Sequence, residues 1–574
     1  MRTRVISFII SSVFIFLVLG IFNLQVKNGR TFRELSNKNC IRLLPQEGNR
    51  GRILDRNGQV IVDSYLSYDA LVLPQEEESL DKVLATVSGV LGMGLRELKD
   101  NYRKNFISSS MPVVVAENIE VKKAIALEEL KSQLGDLLIQ PHPLRHYPYG
   151  KLACHAIGYL HEIDRWRLTR LADYGYKIKD IVGFCGVEER YDYYLRQEEG
   201  ALSIEVDHRG RFIRVLGFKP PRNGKDIQLT LDLKIQKIAE DALADKKGAI
   251  IIIEPTSGEI LAMVSYPGFN PAIFVKKSES AIRNVVRDYN APLLNRAISG
   301  VYPAASVFKL VVSSAALETG KINLGTTFVC TGSIFVGRRQ FSCWDTHGPQ
   351  SLIGGIAHSC DVFFYRTGLA TGAQAIHDYA LQFGFSKVGM TDLPYAQGGL
   401  VPDPLWKRFY RMQGWFDGDT ANFAIGQGEL LVTPIQMARM VAVFANKGEL
   451  VNPYIVKAVA GKDITAYQRK SIKVPVKESN LEYIRQGMRQ VVVNPGGTAK
   501  ILADLKIGVA GKTGTAQVPR GNSHAWFVGF FPFKKPQFAI CVLLEHGGHG
   551  YASAVLAKQI IEAMSKEGLI NEKL

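Results

Sequence analysis

The chain has 574 residues, 46% hydrophobic and 22% charged. That is ordinary globular composition, which excludes disorder along most of the chain and collagen-like repetition, and the length suits roughly two to four domains. The net charge of +16 points to an anionic partner. A membrane surface or an anionic polymer fits better than nucleic acid, because there is no zinc-finger spacing and no long basic run.

Val5 to Leu24 carries no charge and is about as long as the ~20 residues an apolar helix needs to cross a bilayer. Arg2 and Arg4 precede it, so the positive-inside rule predicts a cytoplasmic N-terminus and an exported remainder. No Ala-x-Ala-like site follows, which favours a retained anchor over a cleaved signal. Asn57-Gly58 marks a hairpin turn between apolar runs. Residues 76–135, with Glu76-Glu77-Glu78, alternate helical patterns with charge. Ala201–Asp207, Phe212–Leu216 and Asp226–Leu231 read as strands. A helix is predicted over Lys234–Leu243. Two buried strands follow, Gly248–Glu254 and Gly258–Val264, around a Pro255-Thr256-Ser257-Gly258 turn. The chain ends with a strand (Phe538–Glu545), a Gly-rich turn and a helix (Ala552–Lys566). The seven cysteines are odd in number and scattered, so they do not make a disulfide scaffold. The expected organisation is an anchor over 1–24, a mixed α/β pedestal over 25–230 and one large α/β domain over 231–574.

Three short motifs carry chemistry. Ser306-Val307-Phe308-Lys309 opens an apolar helical stretch, Leu310–Leu317. Residues i and i+3 share a helix face, so Lys309 is expected within reach of the Ser306 hydroxyl. A serine becomes a usable nucleophile beside a base, and a lysine serves as that base when burial lowers its pKa. The helix N-terminus adds N–H groups for a developing oxyanion. Ser79-Leu80-Asp81-Lys82 has the same spacing but lies in a hydrophilic stretch, where it reads as surface. Ser359-Cys360-Asp361 offers a hydroxyl to relay a proton and a carboxylate to hold a substrate amide; Ser67-Tyr68-Asp69 matches the same pattern. Lys512-Thr513-Gly514-Thr515 reads as a strand edge. There Thr513 and Thr515 share a face, Gly514 admits a substrate backbone and Lys512 supplies charge for a carboxylate. The alternative for this stretch is a plain edge strand with a solvated lysine.

S-x-x-K, S-x-[DN] and K-T-G in this order are shared by serine β-lactamases and penicillin-binding proteins. The chain resembles the class B penicillin-binding proteins over nearly its whole length. The resemblance rests on the N-terminal span, Arg50-Gly51-Arg52-Ile53-Leu54-Asp55-Arg56-Asn57-Gly58, Gly186-Val187-Glu188 and Leu229-Thr230-Leu231-Asp232. It continues through Asn295-Arg296-Ala297, Gly426-Gln427-Gly428 and His524-Ala525-Trp526-Phe527. Asp361, where Asn also occurs, resembles the elongation type, penicillin-binding protein 2, more than the division type. The chain has Ala304-Ala305-Ser306-Val307-Phe308-Lys309 in place of the usual Pro-Gly-Ser-Thr-Phe-Lys, which implies a less sharply bent loop before the helix.

The resemblance implies a C-terminal domain with a β-lactamase-like fold, a central antiparallel sheet flanked by helices. It implies a DD-transpeptidase that crosslinks peptidoglycan stem peptides, acts on lipid-linked glycan strands in the bacterial inner membrane and is acylated by β-lactams. Ser306 would attack the D-Ala-D-Ala carbonyl and Lys309 would take its proton. Ser359 and Lys512 would protonate the leaving amine, and Asp361 would hold the donor amide. Thr513 and Thr515 would bind the terminal carboxylate, with an oxyanion hole from the N–H groups of Ser306 and Thr515. The pedestal would contact the glycosyltransferase RodA and the scaffold MreC. No cofactor is required. Some relatives resemble zinc proteins near Cys330, Cys343 and His347, and the Cys-x3-His spacing suits a tetrahedral site. Asp345 or Cys360 would be the fourth ligand; a Cys330–Cys343 disulfide or free thiols are the alternatives. A β-lactamase is the first rival, but Glu-x-x-Leu-Asn is absent between Asp361 and Lys512. A membrane-anchored β-lactam sensor is the second, but only four residues precede the span.

Overall fold

The computed structural model describes residues 2–571 apart from 75–76, 108–111, 131–133, 135–136, 207–211, 390 and 467. The chain forms two compact units. One comprises Met1–Gly51, Ser64–Arg145 and Arg196–Gly224; the other comprises Arg52–Asp63, His146–Leu195 and Lys225–Leu574. This division differs from the sequence boundary near 230, because Arg52–Asp63 and His146–Leu195 pack with the C-terminal residues.

The first unit begins with the helix Arg2–Phe22. An apolar stretch of 24 residues, Arg4–Lys27, is long enough to cross a membrane, and none of its residues is buried. Ile41–Gln46, Gly200–Val206 and Phe212–Lys219 form an antiparallel sheet. The last of these strands outruns its expected end at Leu216; Asp207 lies outside the described residues, as does Glu76. A small core gathers Val72, Leu84, Val87, Leu98, Val115 and Leu127 from strands and the helices Glu77–Leu91, Leu95–Asn105 and Val121–Leu130.

In the second unit the Asn57-Gly58 turn forms as expected. Gly58 takes φ +84°, and the Asp55 carboxylate accepts the N–H groups of Asn57 and Gln59, both at 2.8 Å. The strand expected over Asp226–Leu231 shortens to Ile227–Leu229, because Asp232 caps the next helix, Leu233–Leu243, by accepting Lys234 N and Ile235 N. The centre is a five-stranded sheet in the order Ile260–Tyr266, Gly248–Ile253, Phe538–Leu544, His524–Phe531, Ala510–Ala516, antiparallel throughout. Leu233–Leu243, Pro434–Ala445 and Tyr551–Lys566 pack against it. That covering explains the uninterrupted run Ile250–Ile253, every residue of which is fully buried. A strand with only one face covered would alternate apolar and polar residues.

Candidate active site

Ser306 stands on a sharp turn. Ala305, just before it, has φ +53°, a left-handed conformation costing a residue with a Cβ about 1–2 kcal/mol. The expectation of a gentler loop is therefore corrected: the bend persists without glycine. Surrounding structure holds it. Ala305 is fully buried, and its N–H donates to Gly426 O at 2.8 Å. Gly426 has φ +73°, and a Cβ there would fall 2.1 Å from Ala305 O.

Ser306 lies in a 3-10 turn, Ala305–Phe308, that runs into the helix Lys309–Glu318. Residues i and i+3 eclipse in a 3-10 turn, so Ser306 and Lys309 share a side. The Lys309 ammonium, however, is bonded elsewhere. It is fully buried and donates to Asp361 Oδ1 at 2.7 Å, Ser359 O at 2.8 Å and Ser359 Oγ at 3.4 Å. Among the described residues the Ser306 hydroxyl makes no hydrogen bond. Catalytic hydrogen bonds often tighten only when substrate is bound.

Ser359 also takes a left-handed φ, +54°, one step before Cys360 caps the helix Asp361–Thr371. Its Oγ accepts from Lys512 Nζ at 2.7 Å. It therefore stands between the two lysines. Lys512 is fully buried and also donates to Thr513 O at 3.0 Å. Burial, and secondly the Lys309 charge, push its pKa well below the usual lysine value; Asp361 partly opposes this. Lys512 is therefore not a solvated edge residue, and in this structure it does not line the open cleft. Its ammonium points inward because Ser359 offers the hydrogen-bond acceptor there.

Ala510–Ala516 is the edge strand of the sheet. Gly514 lines the cleft and also has a packing reason. A Cβ there would lie 3.0 Å from Val307 Cγ2 and 3.3 Å from Ala305 Cβ, so glycine lets the strand pack against the Ser306 turn. Thr513 Oγ1 donates to Thr498 Oγ1 at 2.6 Å, and Thr515 Oγ1 accepts Gly550 N at 3.0 Å. A cleft of about 750 Å³ is lined by Ser306, Ser359, Asp361, Thr513, Gly514 and Thr515. Lys309 and Lys512 sit behind its wall. Asn422, Gln427, Thr498 and Arg339 also line it. None of these four belongs to the three motifs; only Gln427, within Gly426-Gln427-Gly428, falls in a stretch the sequence singles out. The competing copies stay structural. Lys82 is exposed beside Glu78, 3.5 Å away, and Asp69 accepts Asn118 N at 3.0 Å.

Next to this cleft, Cys330, Cys343, His347 and Cys360 bring their ligand atoms within 4.8 Å of one another. All seven cysteines are free thiols, so the Cys330–Cys343 disulfide does not form. Cys360, not Asp345, is the fourth group. His347 Nδ1 lies 3.6 Å from Cys330 Sγ and 3.5 Å from Cys343 Sγ, and its buried Nε2 has no partner. The Cys360 thiol and nearby backbone N–H groups hold Cys343 well below the ordinary thiol pKa. Asp361 N donates to Cys343 Sγ at 3.2 Å, tying the cluster to the middle motif.

The family described as "Penicillin binding protein transpeptidase domain" matches residues 248–565, and "Penicillin-binding Protein dimerisation domain" matches 45–229. The peptidoglycan D,D-transpeptidase MrdA of Acinetobacter baumannii is 32% identical over 565 residues, covering 94% of this chain and 84% of that protein. The structure of a complex between penicillin-binding protein PBP2 and MreC from Helicobacter pylori matches with a TM-score of 0.82 at 29% identity, covering 92% of this chain and 99% of that one. A chain from a structure titled for polymerization and crosslinking by a peptidoglycan synthase complex matches with a TM-score of 0.73 at 28% identity, covering 100% of this chain and 99% of that one.

Proposed function

The chain belongs to the class B penicillin-binding proteins of the PBP2 type, and on that premise we propose how its residues carry out acyl transfer. The enzyme is a peptidoglycan D,D-transpeptidase of the elongation type, working through a serine acyl-enzyme. One observation carries the residue assignment. Ser359 Oγ lies between two buried lysines, 3.4 Å from Lys309 and 2.7 Å from Lys512, behind the cleft that Ser306 lines.

Burial and the nearby Lys309 charge disfavour the charged form of Lys512, and Ser359 Oγ gives a hydrogen-bonded path between the two amines. As substrate takes over Asp361, Lys309 passes its extra proton through Ser359 to Lys512; now neutral, it takes the hydroxyl proton as Ser306 attacks the D-Ala-D-Ala carbonyl. Substrate binding shifts Lys309 from Asp361 toward Ser306. The proton reaches the leaving amine through Ser359 and Lys512, and D-Ala departs. Asp361 then holds the donor amide, and the hydroxyls of Thr513 and Thr515 bind the terminal carboxylate. The N–H groups of Ser306 and Thr515 receive the oxyanion. The amine of a second stem resolves the acyl-enzyme by the reverse transfer.

Residues 1–24 serve as a single-pass anchor in the inner membrane, 25–230 as the pedestal, of which Arg52–Asp63 and His146–Leu195 pack with the catalytic unit, and 231–574 as the transpeptidase domain on the periplasmic side. The apolar stretch Arg4–Lys27 supports the anchor. The similarity to a PBP2 structure with MreC supports an MreC-type partner for the pedestal; a RodA-type partner rests on family resemblance. Co-elution of both with the detergent-solubilised full chain is the expected result, and their absence from the eluate counts against this part.

Three thiols and one imidazole suit zinc. Tetrahedral Zn–S bonds of about 2.3 Å put ligand atoms roughly 3.8 Å apart, and the measured sulfur–nitrogen separations are close to this. Cys330, Cys343, His347 and Cys360 would hold the ion, which would cross-link the segment bearing Ser359 and Asp361. Metal analysis of the purified protein should give one zinc per chain, with chelation lowering Tm; a metal-free protein with an unchanged melt would reject the site.

A fluorescent penicillin that stays outside the cytoplasm tests nucleophile and topology together. Labelling of spheroplasts is expected for wild type and absent in Ser306→Ala. Adducts that survive Ser306→Ala would refute the assignment, and rapid turnover would indicate a β-lactamase.

A further inference from the structure

One cation at the cleft has no role in the chemistry above. Arg339 is the only lysine or arginine among the described residues lining the cleft. Its side chain is exposed and makes no ion pair among the described residues. It sits on a hairpin, Ser333–Val336 with Arg339–Ser342, that is fixed in place. Phe341 is buried against Tyr365 and Ala421, Tyr365 donates to Ser342 O at 3.2 Å, and Gln340 donates to Ser333 Oγ at 2.9 Å. The Arg339 guanidinium lies 5.5 Å from the centre of the Phe341 ring, a cation–π contact that favours its placement at the cleft.

We propose that Arg339 is a specificity residue that binds a side-chain carboxylate of the peptide substrate, distinct from the C-terminal carboxylate. The inference rests on the transpeptidase reading, in which the hydroxyls of Thr513 and Thr515 already receive the terminal carboxylate. Arg339 is then a second anion site on another element. A guanidinium matches a carboxylate in a bidentate pair, and a neutral peptide would gain nothing from it. The pair forms at an exposed rim, so its contribution is modest and screened by salt.

The test uses the full chain in detergent. Its probes are a short peptide ending in D-Ala-D-Ala with one additional carboxylate, and the same peptide with that group as a carboxamide. Each competes against a fluorescent penicillin for acylation of Ser306. Wild type should react with the acid about fivefold faster than with the carboxamide, and less so as salt is raised. Arg339→Ala should bring the ratio to one, Arg339→Glu should invert it, and Arg339→Lys should retain part of it. Arg338→Ala, on the neighbouring exposed residue, should keep it. A wild-type ratio of one, or a preference that persists in Arg339→Ala, overturns the proposal. An equal loss for acid and carboxamide also overturns it, by showing that Arg339 serves the terminal carboxylate or the fold. Failure of the underlying reading shows separately, as penicillin labelling that survives Ser306→Ala.

Discussion

At Ser306 the S-x-x-K tetrapeptide runs into a helix whose residues Lys309 to Leu317 are all buried, and the Lys309 side chain has no exposed surface. At Ser79 the same S-x-x-K spacing lies in the first turns of Glu77–Leu91, where the Lys82 side chain is 75% exposed beside Glu78. The spacing brings serine and lysine to one face in both places. Only burial separates a lysine that must find a partner from one that water satisfies. A buried ammonium pairs or has its pKa pushed down, and here Lys309 pairs with Asp361 while the pKa of Lys512 is lowered. The comparison teaches that reactivity is a property of the surroundings, which a tetrapeptide does not contain.

The comparison can be broken most directly at the carboxylates. Asp361→Asn removes the partner of a buried charge while keeping its shape, and should destabilise the second unit by about 3–5 kcal/mol. Glu78→Gln, at the exposed copy, should stay within about 0.5 kcal/mol. Denaturant midpoints with matched slopes would measure both. Equal, small shifts would mean that Lys309 is not held as a charged partner of Asp361.

A smaller effect sharpens the contrast through pH. The Lys512 pKa is lower in the folded protein than the lysine value of 10.5 in the free chain, so between the two the unfolded chain binds more protons. Stability then rises with pH through that window, and below the folded pKa the burial cost is fully present. Lys512→Met should melt with a flatter pH profile on the approach to pH 10.5. A profile identical to wild type would show that Lys512 keeps its proton throughout.

Much of the site was legible because its chemistry is local. Serine and lysine three apart, two threonines on alternate strand positions and an Asn-Gly turn each follow from backbone periodicity. So do the apolar run after Arg4 and the fully buried tetra-isoleucine strand, since both are set by continuous stretches of side chains. The direction of each lysine was not legible. Lys309 was expected on Ser306 and is found on Asp361, 52 positions away. For Lys512 the strand pattern points only to a substrate carboxylate, and the pairing with Ser359, 153 positions away, follows from the family resemblance alone.

By itself the sequence determined which groups are available and how they lie within one turn or one strand. It left the fourth member of the cysteine–histidine cluster open between Asp345 and Cys360. It also suggested a relaxed loop at Ala305. Tertiary structure decided both. The helix cap at Cys360 turns its thiol toward Cys343, and the close approach of Gly426 and Gly514 keeps Ala305 bent at φ +53°. The physical reason is the same in each case. Burial, strain and charge pairing are set by atoms brought together from distant parts of the chain, and no local pattern records which atoms those are.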